Sequence, residues 1–122
     1  MNREQAFHNF WSGFGLTAYD ENTVPEKSAL PYLTYEVATA SIEEPVYLSA
    51  SLWYRSTSWE DATEKAEEIR DKIGYGGKLV YYTGGAMWIR RSNPFAQRMS
   101  EPSDPDIRRI VLQIVVEFLT ED

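Results

Sequence analysis

Large apolar residues recur at helical spacing near the start of the chain. They occupy positions i, i+3, i+4 and i+7 of one stretch, namely Phe7, Phe10, Trp11 and Phe14. This spacing places them on one face of a helix. Asn2 followed three residues later by Gln5 is a capping-box pattern, and Gly13 and Gly15 interrupt the helix at its end. The pattern predicts an amphipathic first helix.

A second segment has the same periodicity. Its apolar positions are Trp59, Ala62, Ala66, Ile69 and Ile73. Ser58 with Asp61 three residues later resembles a capping box, and Gly74 closes the segment. Burial of each large side chain contributes on the order of 1.5–3 kcal/mol, more than the few tenths from charge pairs on the opposite face. We therefore expect a second amphipathic helix whose charged face is solvated.

Alternation of apolar and polar residues predicts the strands. The predicted strands are residues 32–39, 46–54, 78–83, 86–91 and 107–119. The first two are expected to form one hairpin and the next two another, with Gly84-Gly85 at the tight turn. The last strand is roughly 40 Å long at about 3.3 Å per residue, so we expect it to do more than complete one small sheet.

The stretches between these elements read as loops. Residues 16–31 are punctuated by Pro25 and Pro31, and residues 93–106 hold three prolines. The element order is then α-β-β-α-β-β-β. Antiparallel strands with two amphipathic helices on one face predict an α+β, two-layer domain with a mostly antiparallel sheet of about five strands. At 122 residues the chain is expected to be one domain spanning 1–122.

Composition narrows the function. A formal charge of −7 argues against a general nucleic-acid binder, whose footprint is basic. The absence of cysteine removes disulfides and thiolate metal sites. No signal segment or long apolar run is evident, so we expect no membrane contact and a cytoplasmic site of synthesis. Aromatic residues make up 14%, and the eight arginines outnumber the four lysines, a balance typical of protein interfaces. The chain is expected to be an oligomer.

Candidate catalytic groups are sparse. His8 is the only histidine, and Gly74-Tyr-Gly76-Gly77 lacks the spacing of a phosphate loop. The acid pairs Glu43-Glu44 and Asp104 with Asp106 are interpreted as solvated turn residues rather than a glycosidase pair. We expect no cofactor, no metal and no enzyme activity. A carbohydrate- or ligand-binding module stays open because Tyr and Trp are plentiful.

Five segments match, in order, a known protein family. They are Ala18-Tyr-Asp-Glu-Asn-Thr-Val-Pro25, Pro31-Tyr-Leu-Thr-Tyr35, Ser51-Leu-Trp-Tyr-Arg-Ser-Thr-Ser-Trp59, Ile73-Gly-Tyr-Gly-Gly77 and Asn93-Pro-Phe-Ala-Gln-Arg-Met99. Through them the chain resembles the tail terminator, or tail completion, proteins of long-tailed bacteriophages and prophages of Gram-positive hosts, which are sometimes labelled minor capsid proteins. The resemblance covers residues 16–119, and none of its segments is a catalytic signature.

The resemblance implies a small subunit that closes into a ring, usually of six, on the last ring of tail-tube protein. Such a ring stops tube growth and offers the surface to which a filled head docks. It implies a location in the virion after assembly in the host cytoplasm, with DNA passing through the channel unbound. The alternatives are another neck component such as a head-tail stopper, or, from another class, a small ligand-binding protein or hydrolase.

Contact residues are inferred from the chain's own physics. Subunits are expected to meet edge to edge through the long C-terminal strand and the second hairpin, and the loop 93–106 is expected to dock a partner. The residues proposed for these contacts are Trp53, Arg55, Trp88, Arg90, Phe95 and Arg98. The alternatives are that the tryptophans are core residues and that the loop folds back on its own domain.

Three acids in the loop after residue 16 are candidates for the channel wall. Asp20, Glu21 and Glu26 would repel DNA, so an acidic lining would let the genome slide where a basic one would hold it. The alternative is that these acids are simply solvated loop residues.

Overall fold

The computed structural model describes residues 1–37 and 44–120, with Thr120 described by its backbone alone. Two helices and six strands follow one another along the chain. They are α1 (Arg3–Ser12), β1 (Thr17–Asp20), β2 (Tyr32–Tyr35), β3 (Val46–Arg55), α2 (Glu60–Ile73), β4 (Lys78–Tyr82), β5 (Gly85–Met99) and β6 (Ile107–Thr120). The α+β class and the two helices are confirmed.

One strand was missed by the sequence prediction. The strands form a single sheet in the order β1-β2-β3-β6-β5-β4, in which β1 and β2 are parallel and all other neighbours are antiparallel. The expected five-strand sheet is therefore a six-strand mixed sheet, and the element order is α-β-β-β-α-β-β-β. Because β1 has only four residues, its alternation is too short to stand out from a Pro-containing loop.

The capping patterns had different outcomes. Asn2 accepts a hydrogen bond from the Gln5 amide at 2.8 Å, and the Gln5 side chain accepts from the Asn2 amide at 3.0 Å, so the first capping box is confirmed. The second is wrong, because Ser58 accepts from the amide of Glu60 at 3.1 Å and Trp59 occupies the cap position. Helix α2 consequently begins at Glu60.

Strand β6 lies in the middle of the sheet. Residues 107–116 pair with β3, and most of residues 109–120 pair with β5 on the other side. The long C-terminal strand is confirmed. The expectation that it offers an edge to another subunit is wrong for most of its length, because only residues 117–120 lack a partner on the β3 side among the described residues.

The loop predicted over residues 93–106 is also wrong in part. Strand β5 continues to Met99, past a register shift between Arg91 and Ala96, and only residues 100–106 connect it to β6. Pro94 falls within this bulge, where a residue without an N–H disturbs no ladder hydrogen bond. The proline therefore marks a bulge rather than the end of the strand.

The helix-side face of the sheet forms the core. The fully buried large side chains are Trp11, Leu33, Leu52, Ile69, Ile73, Met87, Ile89, Leu112, Ile114 and Val116. The sheet curves into a half-barrel, and α1 contacts both β1 and β4, at opposite ends of the strand order. Within residues 1–37 and 44–120, no helix has the length and apolarity needed to span a membrane. The expected turn of the first hairpin, residues 41–45, lies largely outside the described residues.

Candidate interaction surface

The sheet ends in β1 on one side and in β4 on the other, and the outer side of each has no partner strand among the described residues. Strand β4 pairs only with Gly85 to Ile89, so nothing in the described chain pairs with the outer side of residues 92–99 of β5 either. Backbone donors and acceptors on such edges are templates for another strand. We call residues 96–99 the β5 edge and residues 17–20 the β1 edge.

The two edges lie at the same level of the sheet. Following the pairing from β1 through β2, β3 and β6 to β5, Thr17 lies in the row of Met99 and Ala18 in the row of Arg98. The next two rows join Tyr19 with Gln97 and Asp20 with Ala96, by the same pairings. The β1 edge is thus in register with the β5 edge across the intervening strands.

A groove runs between α2 and the β5 edge. It encloses about 220 Å³ and is lined by Thr63, Ala66, Glu67, Arg70, Phe95, Ala96, Gln97, Arg98 and Ile110. Phe95 is half-buried and packs against the core, whereas Arg98 is exposed with its guanidinium 5.0 Å from the Trp59 ring centre. The Thr63 hydroxyl has no hydrogen-bond partner among the described residues. We call this the α2–β5 groove.

Trp53 and Arg55, both proposed as interface residues, have different partners within the chain. Trp53 lies on the outer face, where its Nε1 donates to the Thr34 hydroxyl at 2.9 Å and the Arg109 guanidinium lies 4.5 Å from its ring centre. Arg55 instead donates to Asp104 at 2.8 Å, and this hydrogen bond holds the pKa of Asp104 below its usual value. Trp53 is a half-buried platform on the outer face, and Arg55 is anchored to the β5–β6 loop.

Trp88 and Arg90 do pair, within the chain. The Arg90 guanidinium lies 4.3 Å from the Trp88 ring centre and 3.7 Å from a Glu117 carboxylate oxygen. Trp88 Nε1 donates to the Gly76 carbonyl at 2.7 Å. Both side chains are half-buried, so they are held by their own subunit and still present part of their surface outward.

Next to Trp88 lies an exposed apolar area that sequence reasoning missed. Leu79 is opposite Trp88 on β4, and Tyr81 and Leu119 flank Ala86 on the same face. Tyr81 is 72% exposed, Leu79 46% and Leu119 45%. The signal was the alternation within β4, which the hairpin prediction used for pairing but not for exposure. Contiguous exposed apolar surface of this kind marks interaction sites.

The three acids proposed for the channel do not form one group. Asp20 ends β1 and lines a cavity of about 90 Å³ beside α1, while the Glu21 amide donates to the Tyr35 carbonyl at 3.0 Å. Burial, with Glu36 and Asp20 nearby, raises the pKa of Glu21. Glu26 is exposed in the β1–β2 loop and makes no ion pair with any described residue.

The remaining candidate chemistry resolves into local structure. His8 Nδ1 lies 2.8 Å from the Tyr35 hydroxyl and Nε2 3.3 Å from the Ser12 hydroxyl, which ties α1 to β2. Asp104 accepts a hydrogen bond from the Asp106 amide, a turn contact, and Glu43 lies outside the described residues. No group of three potential metal ligands occurs within residues 1–37 and 44–120. The cavity of about 90 Å³ is well below the roughly 300 Å³ of typical ligand pockets. Two larger and more open grooves lie along α1, one of about 490 Å³ against β4 and one of about 620 Å³ beside His8.

No protein-family model matches the chain, and comparisons with curated proteins and with solved structures return no match either. The likeness to tail terminator proteins therefore rests on the five segments quoted above. The surface that the geometry singles out consists of the two sheet edges, the α2–β5 groove and the apolar area around Tyr81.

Proposed function

We propose that this chain is a non-catalytic assembly subunit that forms a ring, of six copies, on the end of a phage tail tube. The ring stops tube polymerisation and provides the surface for head joining. Its partners are other copies of itself, the tail-tube protein and a head-completion or stopper protein, and it resides in the virion.

The observation that carries this proposal is the open sheet. A half-barrel whose unpaired β1 and β5 edges lie at the same level has the geometry of a unit that is completed by its neighbours. Natural monomers cover such edges or keep them short, as both four-residue edges are here, so the proposal depends on the matching level of the two edges. The larger grooves beside α1 are open and their polar side chains are dispersed, which gives less support to a ligand-binding protein or a hydrolase.

The interface residues divide between two parts of the proposed assembly. Phe95 and Arg98, in the α2–β5 groove, are assigned to contact between neighbouring copies. Trp53, Trp88 and Arg90 lie on the outer face, where the apolar area extends the surface, and we assign them to contact with tube or head protein. Arg55 is assigned a supporting role because Asp104 already holds it.

Glu21 and Glu26 keep their proposed place at the channel. Replacing both with lysine should leave tail length normal and slow DNA ejection, and the defect should ease at higher salt because screening shortens the attraction. Normal ejection at low salt would remove these acids from the channel wall.

The proposal is tested by deleting the gene and imaging the particles by negative-stain electron microscopy. A tail terminator leaves overlong tails without heads, because nothing stops the tube. A head-tail stopper, the alternative, leaves finished tails of normal length beside unstable heads. Normal particles in the deletion would reject both neck assignments.

A further inference from the structure

We propose that the β1 edge of one copy adds as an antiparallel strand to the β5 edge of the next copy, so that one sheet continues from subunit to subunit. This inference rests on the proposed ring. In this arrangement the α2–β5 groove receives the neighbour's Asp20.

Strand direction follows from the pairing within one chain. β1 is parallel to β2, and three antiparallel steps then lead through β3 and β6 to β5, so β1 and β5 run in opposite directions. Rotation about a ring axis preserves the direction of each strand relative to that axis. The β1 edge of a neighbour therefore meets the β5 edge in the antiparallel sense, the pairing that is slightly more stable per residue.

The side chains of the two edges face matching sides. Ala18 is buried on the helix side, in the row of Arg98, which lies over Trp59 beside α2. Thr17 and Tyr19 point to the outer face, as do their row partners Met99 and Gln97, the latter bonded to Gln113. The two edges can therefore pair in this register and form a continuous sheet with every helix on one side. A shift by an odd number of residues, which would turn the side chains to the opposite face, is not needed.

Charge identifies the occupant of the groove. Asp20 ends the β1 edge on the helix side, where α2 of the neighbour would present Arg70 and the β5 edge would present Arg98. Arg70 already lies 3.3 Å from Asp71 and Glu67 also lines the groove, so the guanidinium without an ion pair among the described residues is that of Arg98. The Asp20 oxygen that does not accept from the Asn22 amide can form a charge-assisted hydrogen bond with it. Asp20 is therefore assigned to subunit contact rather than to the channel.

The same charges disfavour the symmetric alternatives. Two β5 edges paired about Arg98 would place the two Arg98 side chains opposite each other, whereas two β1 edges paired about Tyr19 would place each Asp20 opposite Ala18, without a guanidinium partner. Like charges directly across a strand pair are destabilising. The remaining arrangement is a head-to-tail contact between the β1 edge of one copy and the β5 edge of the next. Such contacts generate rings when the rotation closes.

The absence of cysteine gives a clean test of the pairing. Single-cysteine chains, Tyr19→Cys and Gln97→Cys, are mixed at high concentration and oxidised, and a second pair uses Thr17→Cys with Met99→Cys. Residues opposite each other in an antiparallel pair have Cβ atoms about 4.5–5.5 Å apart, within reach of a disulfide after small shifts. Tyr47→Cys, exposed on the outer face of interior strand β3, is the matched control.

The expected result is a disulfide dimer that forms only when both edge variants are present, and a ladder of larger products when one chain carries Tyr19→Cys and Gln97→Cys together. Equal yields with the Tyr47→Cys control, or dimers of Gln97→Cys chains alone, would overturn the pairing. Native mass measurement of the same samples separates the two proposals. If a ring forms but its cross-links fall elsewhere, the strand pairing alone is overturned. If the mixed dimers form but deletion of the gene leaves normal tails, the tail function alone is overturned.

Discussion

Two tryptophans show how differently the two sides of this molecule use aromatic surface. Trp11 on α1 has no exposed surface and packs edge-on against Phe7 and Phe10, with ring centres 6.0 and 4.9 Å away. Trp59, before α2, is half-buried beneath two arginines, with the Arg98 guanidinium at 5.0 Å and that of Arg108 at 5.5 Å.

The difference lies in what covers the ring. Around Trp11 the cover is other apolar side chains, which bind the helix to the sheet and have no alternative partner. Over Trp59 the cover includes exposed Arg98, whose long side chain can turn to a carboxylate from another molecule while its stem still shields the ring. We conclude that the α1 side stabilises the subunit and that the β5 side is available for association.

The largest expected effect comes from a substitution on the α1 side. Trp11→Ala should lower the free energy of unfolding by about 3–5 kcal/mol, because it removes a fully buried aromatic side chain and leaves a cavity. Urea denaturation of the variant measures this loss. Trp59→Ala is the matched control, with an expected loss of about 1–2 kcal/mol because its ring is half-buried. Equal losses for the two variants would contradict the comparison.

A second substitution tests the anchoring of Trp88. Gly77 has φ +83°, and a Cβ there would lie 2.5 Å from Trp88 Nε1 and 2.8 Å from the Ile89 carbonyl oxygen. Gly77→Ala should therefore cost about 1–3 kcal/mol in thermal or urea unfolding. Gly76→Ala is the control, because no heavy atom lies within 4 Å of a Cβ at that position. A harmless Gly77→Ala would mean that the turn does not hold Trp88 in place.

The β5 side is tested by charge reversal. Arg98→Glu should weaken self-association by roughly 30-fold, about 2 kcal/mol, by placing a carboxylate opposite the Asp20 of the neighbour. Analytical ultracentrifugation gives the association constant, and an unchanged circular dichroism spectrum shows that the fold is retained. Lys72→Glu, at the end of α2 away from the groove, should associate normally. Chains carrying Asp20→Arg should restore association when mixed with Arg98→Glu chains, and failure of this rescue would argue against the assigned pair.

The smallest effect concerns the connection between β5 and β6. The hydrogen bond from Arg55 lowers the pKa of Asp104 in the folded state, so its stabilisation is complete above the unfolded value of 3.8 and is lost as pH falls through the folded value. The melting temperature of Arg55→Ala should lie slightly below that of the wild type at pH 5, and the difference should vanish in strong acid. The expected difference is small because the pair is exposed to solvent. A difference that grows on acidification would show that Arg55 does not stabilise the fold through the ionised Asp104.

The sequence predicted the elements whose signals are local. The capping residues of α1 and the long alternation of β6 were identified, because each depends on neighbours within a few positions. The second hairpin was also identified, but its turn lies one residue earlier than the predicted Gly84-Gly85, because Gly85 pairs with Tyr82 in the sheet and only Gly84 of the two has a positive φ. The four residues of β1 carried too little alternation to be recognised, since its pairing with β2 depends on residues brought close only by the fold.

The same distinction between local signals and contacts made only by the fold applies to the candidate site residues. Phe95 and Arg98 were singled out by type, but they were placed in a loop because Pro94 reads as a strand breaker, whereas here it sits in a bulge. Trp53 was singled out by type, but the sequence did not indicate its contact with Arg109, which cross-strand pairing supplies. The α2–β5 groove brings residues of α2 together with β5, and no local pattern could indicate that contact.

The central claim is that this chain is completed by further copies of itself. Native mass spectrometry of the wild-type chain over a range of concentrations tests it most directly. We expect a discrete closed species of six chains, with no open-ended series of larger masses. A chain that stays monomeric at every concentration, with the β1 and β5 edges unprotected in hydrogen exchange, would contradict it.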